Sequence, residues 1–360
     1  MSATPYHRFA RRLDALPNGF PATPDGAEIR LLEKICDPEE ADLAADLRLT
    51  LETPAEIAAR TGRDPKPLRK LLKSMARKGV IKAGRAASGS GMGYGLLPFV
   101  VGIYEMQIAR LDAEMAQLFE DYYQRAFGSG LMMQPSVHRV IPVQESVRVD
   151  MEIRPYENAA EIVQGAQSWG VVDCICRKQK LLIDDPCEHP VEDICMVLGE
   201  TPGLFDHTPA VKALSKREAL GTLERAAEAG LVHSVSNNQQ GLWYICNCCT
   251  CSCGVLRGIA QLGIANVVAR AAFVNTVNED ICIGCEDCID DCQFGALALD
   301  GAVMAVNQQR CVGCGVCVIK CPEEAMSLIR RADVAPPPLT ETDWQIERAR
   351  VRGIDMDRIR

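Results

Sequence analysis

Cys282-Ile-Gly-Cys285-Glu-Asp-Cys288-Ile-Asp-Asp-Cys292 returns, 29 residues later, as Cys311-Val-Gly-Cys314-Gly-Val-Cys317-Val-Ile-Lys-Cys321, followed by Pro322. A single block of this kind fits a zinc site as readily as anything else. Two blocks with the same internal spacing do not, because zinc ribbons use two Cys-x-x-Cys pairs without a third Cys at the next step. Tight Cys-x-x-Cys-x-x-Cys turns wrap three thiolates around one face of an iron–sulfur cube, and the fourth corner points away from the turn. The fourth Cys of each block then serves the other cube. Cluster I is assigned to Cys282, Cys285, Cys288 and Cys321, and cluster II to Cys311, Cys314, Cys317 and Cys292.

The stretch resembles bacterial two-[4Fe–4S] ferredoxins, and the resemblance covers residues 271–332. It departs from that pattern at one place: Gln293 follows Cys292, where Pro322 follows Cys321. Gln donates hydrogen bonds and Pro does not, which bears on the potential of cluster II. Phe273–Val277 and 325–329 are expected to pair as outer strands, and Leu297–Ala305, turning at Asp300-Gly301, as an inner hairpin.

The whole chain has 360 residues, room for two or three domains. Its 48% apolar content supplies real cores, and a net charge of −9 argues against a generic nucleic-acid binder. Eighteen Cys would suit an oxidised secreted protein. Met1-Ser-Ala-Thr-Pro-Tyr-His-Arg, however, lacks the apolar core of a signal peptide, and no apolar run reaches membrane-spanning length. The expectation is a cytoplasmic protein whose Cys are thiolate ligands.

From the N-terminus, residues 1–27 read as an arm with Tyr6, Phe9, Leu13 and Leu16 at helical spacing, packing on another domain or subunit. In 28–98, Ile29, Leu31, Leu32 and Ile35 suggest a first helix. Thr53-Pro54-Ala-Glu56 is a capping box with Pro at the first position of a second; a third starts at Asp64-Pro65, and a strand pair flanks a Gly/Ser-rich loop. Helix, helix, helix, hairpin resembles a winged helix-turn-helix domain. Its third helix is basic, with Lys66, Arg69, Lys70, Lys73, Arg77 and Lys78, and Lys82 and Arg85 follow. The acidic whole favours protein docking over DNA contact for that face. Cys36 stands alone as a buried apolar residue. Residues 99–130 read as one long amphipathic linker helix offering a homodimer seam.

Residues 140–270 hold nine further Cys in two sets: Cys174, Cys176, Cys187 and Cys195, then Cys246, Cys248, Cys249, Cys251 and Cys253. Strands are read at 140–143, 147–153, 171–172, 231–235 and 242–245, with helices at 159–169, 216–229 and 255–268. Thiols arriving from strand ends and a loop are how a metal site is assembled, and a cube needs only four of the nine. A third [4Fe–4S] cluster is the reading, with zinc as the alternative. It requires 171–176 to lie beside 242–248, with the loop through Cys187 and Cys195 folded over them. Arg177, Lys178 and Lys180 would balance an anionic cluster, and His189 and His207 are lesser ligand candidates. Residues 333–360 form a docking tail, with a stiff Pro336-Pro337-Pro338 linker and an exposed Trp344.

The order of parts resembles multidomain bacterial iron–sulfur proteins. In these a winged-helix-like domain precedes a Cys-Ile-Cys-Arg stretch, an Ile-Cys-Asn-Cys-Cys stretch and a two-cluster ferredoxin. Thr250 and Ser252 interrupt a run expected to be denser in Cys or Asp. The resemblance implies electron transfer and names no partner; the function expected is a relay of single electrons to or from a partner oxidoreductase. The fold class expected is α+β multidomain: winged-helix-like N-terminal domain, Cys-rich α/β middle domain and ferredoxin-like C-terminal domain. Two rivals are a redox- or iron-sensing transcription regulator and an enzyme with a catalytic central cluster. No Gly-x-Gly-x-x-Gly and no Walker lysine loop occurs, so no NAD, flavin or ATP site is expected.

Overall fold

Four helices begin on the same local signal, a Thr or Asp cap followed by Pro. Thr4 caps Pro5–Asp14, Asp37 caps Pro38–Ala44, Thr53 caps Pro54–Thr61 and Asp64 caps Pro65–Arg77. The cap side chain satisfies an orphan N–H, and Pro lacks the donor that would otherwise be wasted. Thr53 and Glu56 close a reciprocal capping box. Gly62, at φ +68°, ends the third of these helices in the left-handed conformation that a Cβ disfavours.

The computed structural model describes residues 4–143, 146, 152–208, 210–262, 267–332 and 334–360. Helices and antiparallel sheets share the chain, an α+β architecture. It divides into two units: Met1–Gly130 with Gln345–Arg360, and Leu131–Trp344.

The first unit holds the four helices above, the helix Ala27–Ile35, and an antiparallel hairpin of Ile81–Arg85 with Met92–Leu96. The arm packs within this unit. Arg8 pairs with Asp42 and Asp46, and Arg12 donates to the Leu47 carbonyl. Cys36 is buried, and burial pushes its thiol up to about 12.

The single helix expected over 99–130 is corrected. The segment is broken into short turns at Phe99–Ile103 and Glu105–Gln107, a helix Ala113–Tyr122, and a wider turn Tyr123–Phe127. Its aromatic stripe lies inside the unit. Tyr104 and Phe119 stack with centroids 3.8 Å apart, and Phe20 meets Phe99 at 4.4 Å and Tyr122 at 4.8 Å. Periodicity showed that one face is apolar; packing these rings together required the chain to fold back on itself.

The second unit is built on a six-stranded antiparallel sheet. Its strand order is His138–Val140, Val232–Ser236, Tyr244–Cys248, Cys195–Gly199, Ser168–Val172 and Lys212–Leu214. Ala159–Gly165 and Lys216–Glu228 cover it through Ala159, Val163, Ala219 and Leu223 against Met196, Leu198, Val235 and Ile245. Two small antiparallel pairs follow, Phe273–Val277 with Met326–Arg330 and Leu297–Asp300 with Val303–Val306. Most of the strand read at 147–153 lies outside the described residues, as do residues 263–266 of the helix read at 255–268; the described part of that helix is Arg257–Leu262.

The boundary expected near 270 does not separate units. Val143, Ala227 and Val316 share one apolar cluster, and the Val143 N–H donates to the Cys314 carbonyl at 2.9 Å. The tail also differs from expectation. Trp344 is 5% exposed and donates from Nε1 to the Ser136 carbonyl at 3.0 Å. The Pro-rich segment accepts hydrogen bonds from Gln239, whose Nε2 reaches the Pro337 carbonyl at 2.7 Å. An indole needs its N–H satisfied when buried, and a turn with free donors supplied the neighbouring stretch with partners.

Phe119 touches four other rings of its unit. Phe119→Ala is expected to lower unfolding free energy by about 3–5 kcal/mol, read as a lower urea midpoint with unchanged slope.

Candidate metal centres

The two Cys blocks fold alike because their backbones turn at the same places. Gly284 and Gly313 sit at φ +65° and +76°, and Glu286 and Gly315 at +69° and +76°. At Gly313 a Cβ would stand 2.1 Å from the Phe273 carbonyl oxygen, so only glycine fits. Each left-handed step opens a short helix, Asp287–Asp290 or Val316–Lys320, which carries the third Cys of its block.

Two small cavities of similar size result. The first is lined by Cys282, Cys285, Cys288 and Cys321, with Met304 and Pro322; the second by Cys292, Cys311, Cys314 and Cys317, with Asn275 and Phe294. Each cavity thus draws its fourth thiol from the other block. Four thiols around one apolar cavity fit a cube that takes one thiolate per iron. Burial pushes the thiols of Cys288 and Cys314 up, to about 11 and about 12, and Cys317 further. Such thiols ionise only with a cation among them, so loading releases protons.

Several sulfurs already accept hydrogen bonds. The Met304 N–H reaches Cys282 at 3.4 Å and the Ala296 N–H reaches Cys292 at 3.3 Å. Asn275, buried on the outer strand, donates from Nδ2 to Cys317 at 3.2 Å. A lone Asn in a strand carried no sign of this in the sequence.

The nine central thiols are brought together by the large sheet. Cys174 caps the helix Ile175–Leu182, whose first turn carries Cys176 and Arg177. Cys195 opens one strand, and Cys246 and Cys248 close another. The expected adjacency of 171–176 and 242–248 is corrected: the strand Cys195–Gly199 lies between them, pairing Val172 with Cys195 on one side and Met196 with Ile245 on the other. The loop was read as a cover; its far end supplies a central strand.

Six of these thiols interact in a closed ring. Cys174 meets Cys176 and Cys195, Cys195 meets Cys246, Cys246 meets Cys248, Cys248 meets Cys253, and Cys253 meets Cys176. Hydrogen bonds from Cys176 and Cys195, then the Arg177 charge, hold Cys174 well below the usual thiol range. Neighbouring thiols and burial push Cys176, Cys195, Cys246, Cys248 and Cys253 above it.

Cys187, Cys249 and Cys251 form a second group, their sulfurs all within 4.8 Å of one another, and Cys187 and Cys249 share a buried cluster with Cys174, Cys176 and Cys195 of the ring. A hydrogen bond from Cys251, aided by Arg177, brings Cys249 down to about 5. Among the described residues this is the one tight group of ligand-type side chains, and His189 and His207 lie outside it.

Arg177 is 2% exposed; Nη1 donates to the Asn247 carbonyl at 3.1 Å and to Cys249 Sγ at 3.6 Å, while Nε and Nη2 have no partner among the described residues. A guanidinium buried with two unused donors requires negative charge beside it. Of the other cations proposed for this role, Lys180 is paired with Asp185 at 2.6 Å.

Gln293, noted only as a departure from Pro, joins the two regions. Its Oε1 accepts from the N–H of Thr250, between Cys249 and Cys251, at 2.7 Å, and its Nε2 donates to the Gly230 carbonyl.

Asn275→Val removes the side-chain donor from Cys317 without changing strand propensity for the worse. A hydrogen bond to sulfur favours the reduced, more negative state. The potential of the cluster held at the second cavity is therefore expected to fall by roughly tens of millivolts, read by redox titration followed by electron paramagnetic resonance.

No curated protein and no solved structure matches this chain. No helix among the described residues is long and apolar enough to cross a membrane. Residues 281–325 match the family of the 4Fe-4S dicluster domain. This part of the chain is a ferredoxin-type domain that binds 4Fe–4S clusters, and with it the chain has an iron–sulfur electron-transfer role.

Proposed function

We propose that the chain is a cytoplasmic relay of single electrons, to or from a partner oxidoreductase, through two clusters in the dicluster domain and a third in the large sheet. The observation that carries this reading is Gln293. It follows a thiol of the second cavity in sequence and bonds the backbone between two central thiols. A covalent and hydrogen-bonded path therefore runs from Cys292 to Cys249 and Cys251.

A [4Fe–4S] cube supplies one-electron chemistry with small rearrangement. The chain's own residues hold it, keep water from it and set its potential through donors to sulfur. Cys282, Cys285, Cys288 and Cys321 hold cluster I, and Cys311, Cys314, Cys317 and Cys292 hold cluster II; the two cavities support that crossing. Four of the six ring thiols, with Arg177 beside them, hold the third. Cys285 is exposed, as are Ile281 and Ile283 just before it, which supports the first cavity as the end that meets the partner.

The N-terminal unit is read as a winged-helix arrangement used for protein docking. The helix–helix–helix–hairpin order supports this, and the basic face of Lys66, Arg69, Lys70, Lys73 and Arg77 is exposed. An acidic partner surface suits that face better than DNA does on a chain of net charge −9.

Anaerobically purified chain is expected to hold about twelve irons with matching sulfide. Cys195→Ser/Cys246→Ser should remove about four of these and leave about eight. Cys292→Ser should damage the signal of cluster II and spare cluster I. Iron near eight in the wild type would remove the third cluster, and loss of cluster I alone from Cys292→Ser would overturn the crossing. Against random duplex DNA at physiological salt, binding is expected to be no tighter than about 1 μM, the non-specific range. A sequence-selective, salt-resistant shift would instead promote the regulator reading.

A further inference from the structure

The nine central thiols do not form one site. In a tetrahedral zinc site, Zn–S bonds of about 2.3 Å put neighbouring sulfurs about 3.8 Å apart. Cys187 and Cys249 have their sulfurs 4.0 Å apart, and Cys251 lies within 4.8 Å of both. Among the described residues no other three thiols, in the dicluster domain or in the ring, lie all within 4.8 Å of one another. Mutual closeness of three sulfurs is what one ion needs, and it singles out this set.

The surroundings of the three thiols are those of thiolates. Ser252, 1% exposed, donates from Oγ to Cys187 Sγ at 3.2 Å. Arg177 Nη1 donates to Cys249 Sγ at 3.6 Å, and its two unpartnered donors mark a buried positive charge that three thiolates and a dication, net −1, would neutralise. The loop is fixed from both sides, by Gln293 on the Thr250 N–H and by the Cys253 N–H on the Cys249 carbonyl at 3.0 Å. Cys249 is buried, whereas Cys251 is exposed, so the set opens to solvent on one side.

We propose that Cys187, Cys249 and Cys251 bind one Zn²⁺ through three thiolates, with the fourth position open to water or an incoming thiol, apart from the iron–sulfur site of the ring. A zinc with an open position is a Lewis acid and not merely a staple. The proposal rests on the reading that the central thiols are ligands, but the two fail separately: the cluster through iron, the zinc site through zinc.

The test uses the full chain, purified anaerobically and supplemented with zinc alone. Cys187→Ser/Cys251→Ser is expected to lower zinc from about one per chain to below a fifth, with iron unchanged. Cys195→Ser/Cys246→Ser should do the reverse, losing about four irons and keeping zinc. Zinc retained by the first variant, or iron lost from it while zinc stays, overturns the proposal. Should a variant lose both metals by misfolding, zinc-edge absorption on the wild type decides. Three sulfurs at about 2.3 Å and one light atom at about 2.0 Å are expected; four sulfurs, or no bound zinc, overturn it.

Discussion

A thiolate is buried at tolerable cost only beside a positive charge, and this constraint shapes the second unit. Seventeen of the eighteen Cys lie in that unit, most of them buried or half-buried. Left to themselves, crowded thiols stay protonated: burial lifts Cys288 and Cys314, and their neighbours add to the lift. Metal ions reverse that balance, so loading and folding are linked. At Arg177 the chain supplies a compensating charge itself, where Cys174, Cys195 and Cys249 all feel it.

The sheet serves that electrostatic need through geometry. Antiparallel strands end side by side, so cysteines placed at strand ends converge even when far apart in sequence. Asn247 ties the arrangement from within. Its side chain donates to the Ile194 carbonyl and meets His233 Nδ1, each at 2.6 Å, while its carbonyl accepts from Arg177. Cys174 through Cys195 and Cys246 through Cys253 are thus locked in register by backbone pairing rather than by their own sulfurs.

The dicluster domain leans on this sheet through polar contacts as well as a shared apolar core. Lys320 donates to the Glu228 carbonyl at 2.8 Å, and Arg330 pairs with Glu157 at 2.6 Å. Replacing the proline expected after Cys292 with Gln293 gave up a rigid turn and gained a connection. The same residue that departs from the ferredoxin pattern is the one that reaches the central thiols.

Much of the dicluster domain was legible in the sequence, because its ligands lie within forty residues and their spacing is set by local turns; Gly284, Gly313 and Gly315 even mark the left-handed steps. Helix starts were legible for the same reason, since caps at Thr53 and Asp64 act over three residues. Which thiols share a site was not. Cys187 meets Cys249 across 62 residues, and that distance is closed by strand order, which places Cys195–Gly199 between two strands that a shared cluster was expected to set side by side. The burial of Trp344 and the folding back of 99–130 were hidden likewise, because an apolar stripe states that it will be covered and not by what. Local chemistry wrote the turns and caps; only long-range packing chose the partners.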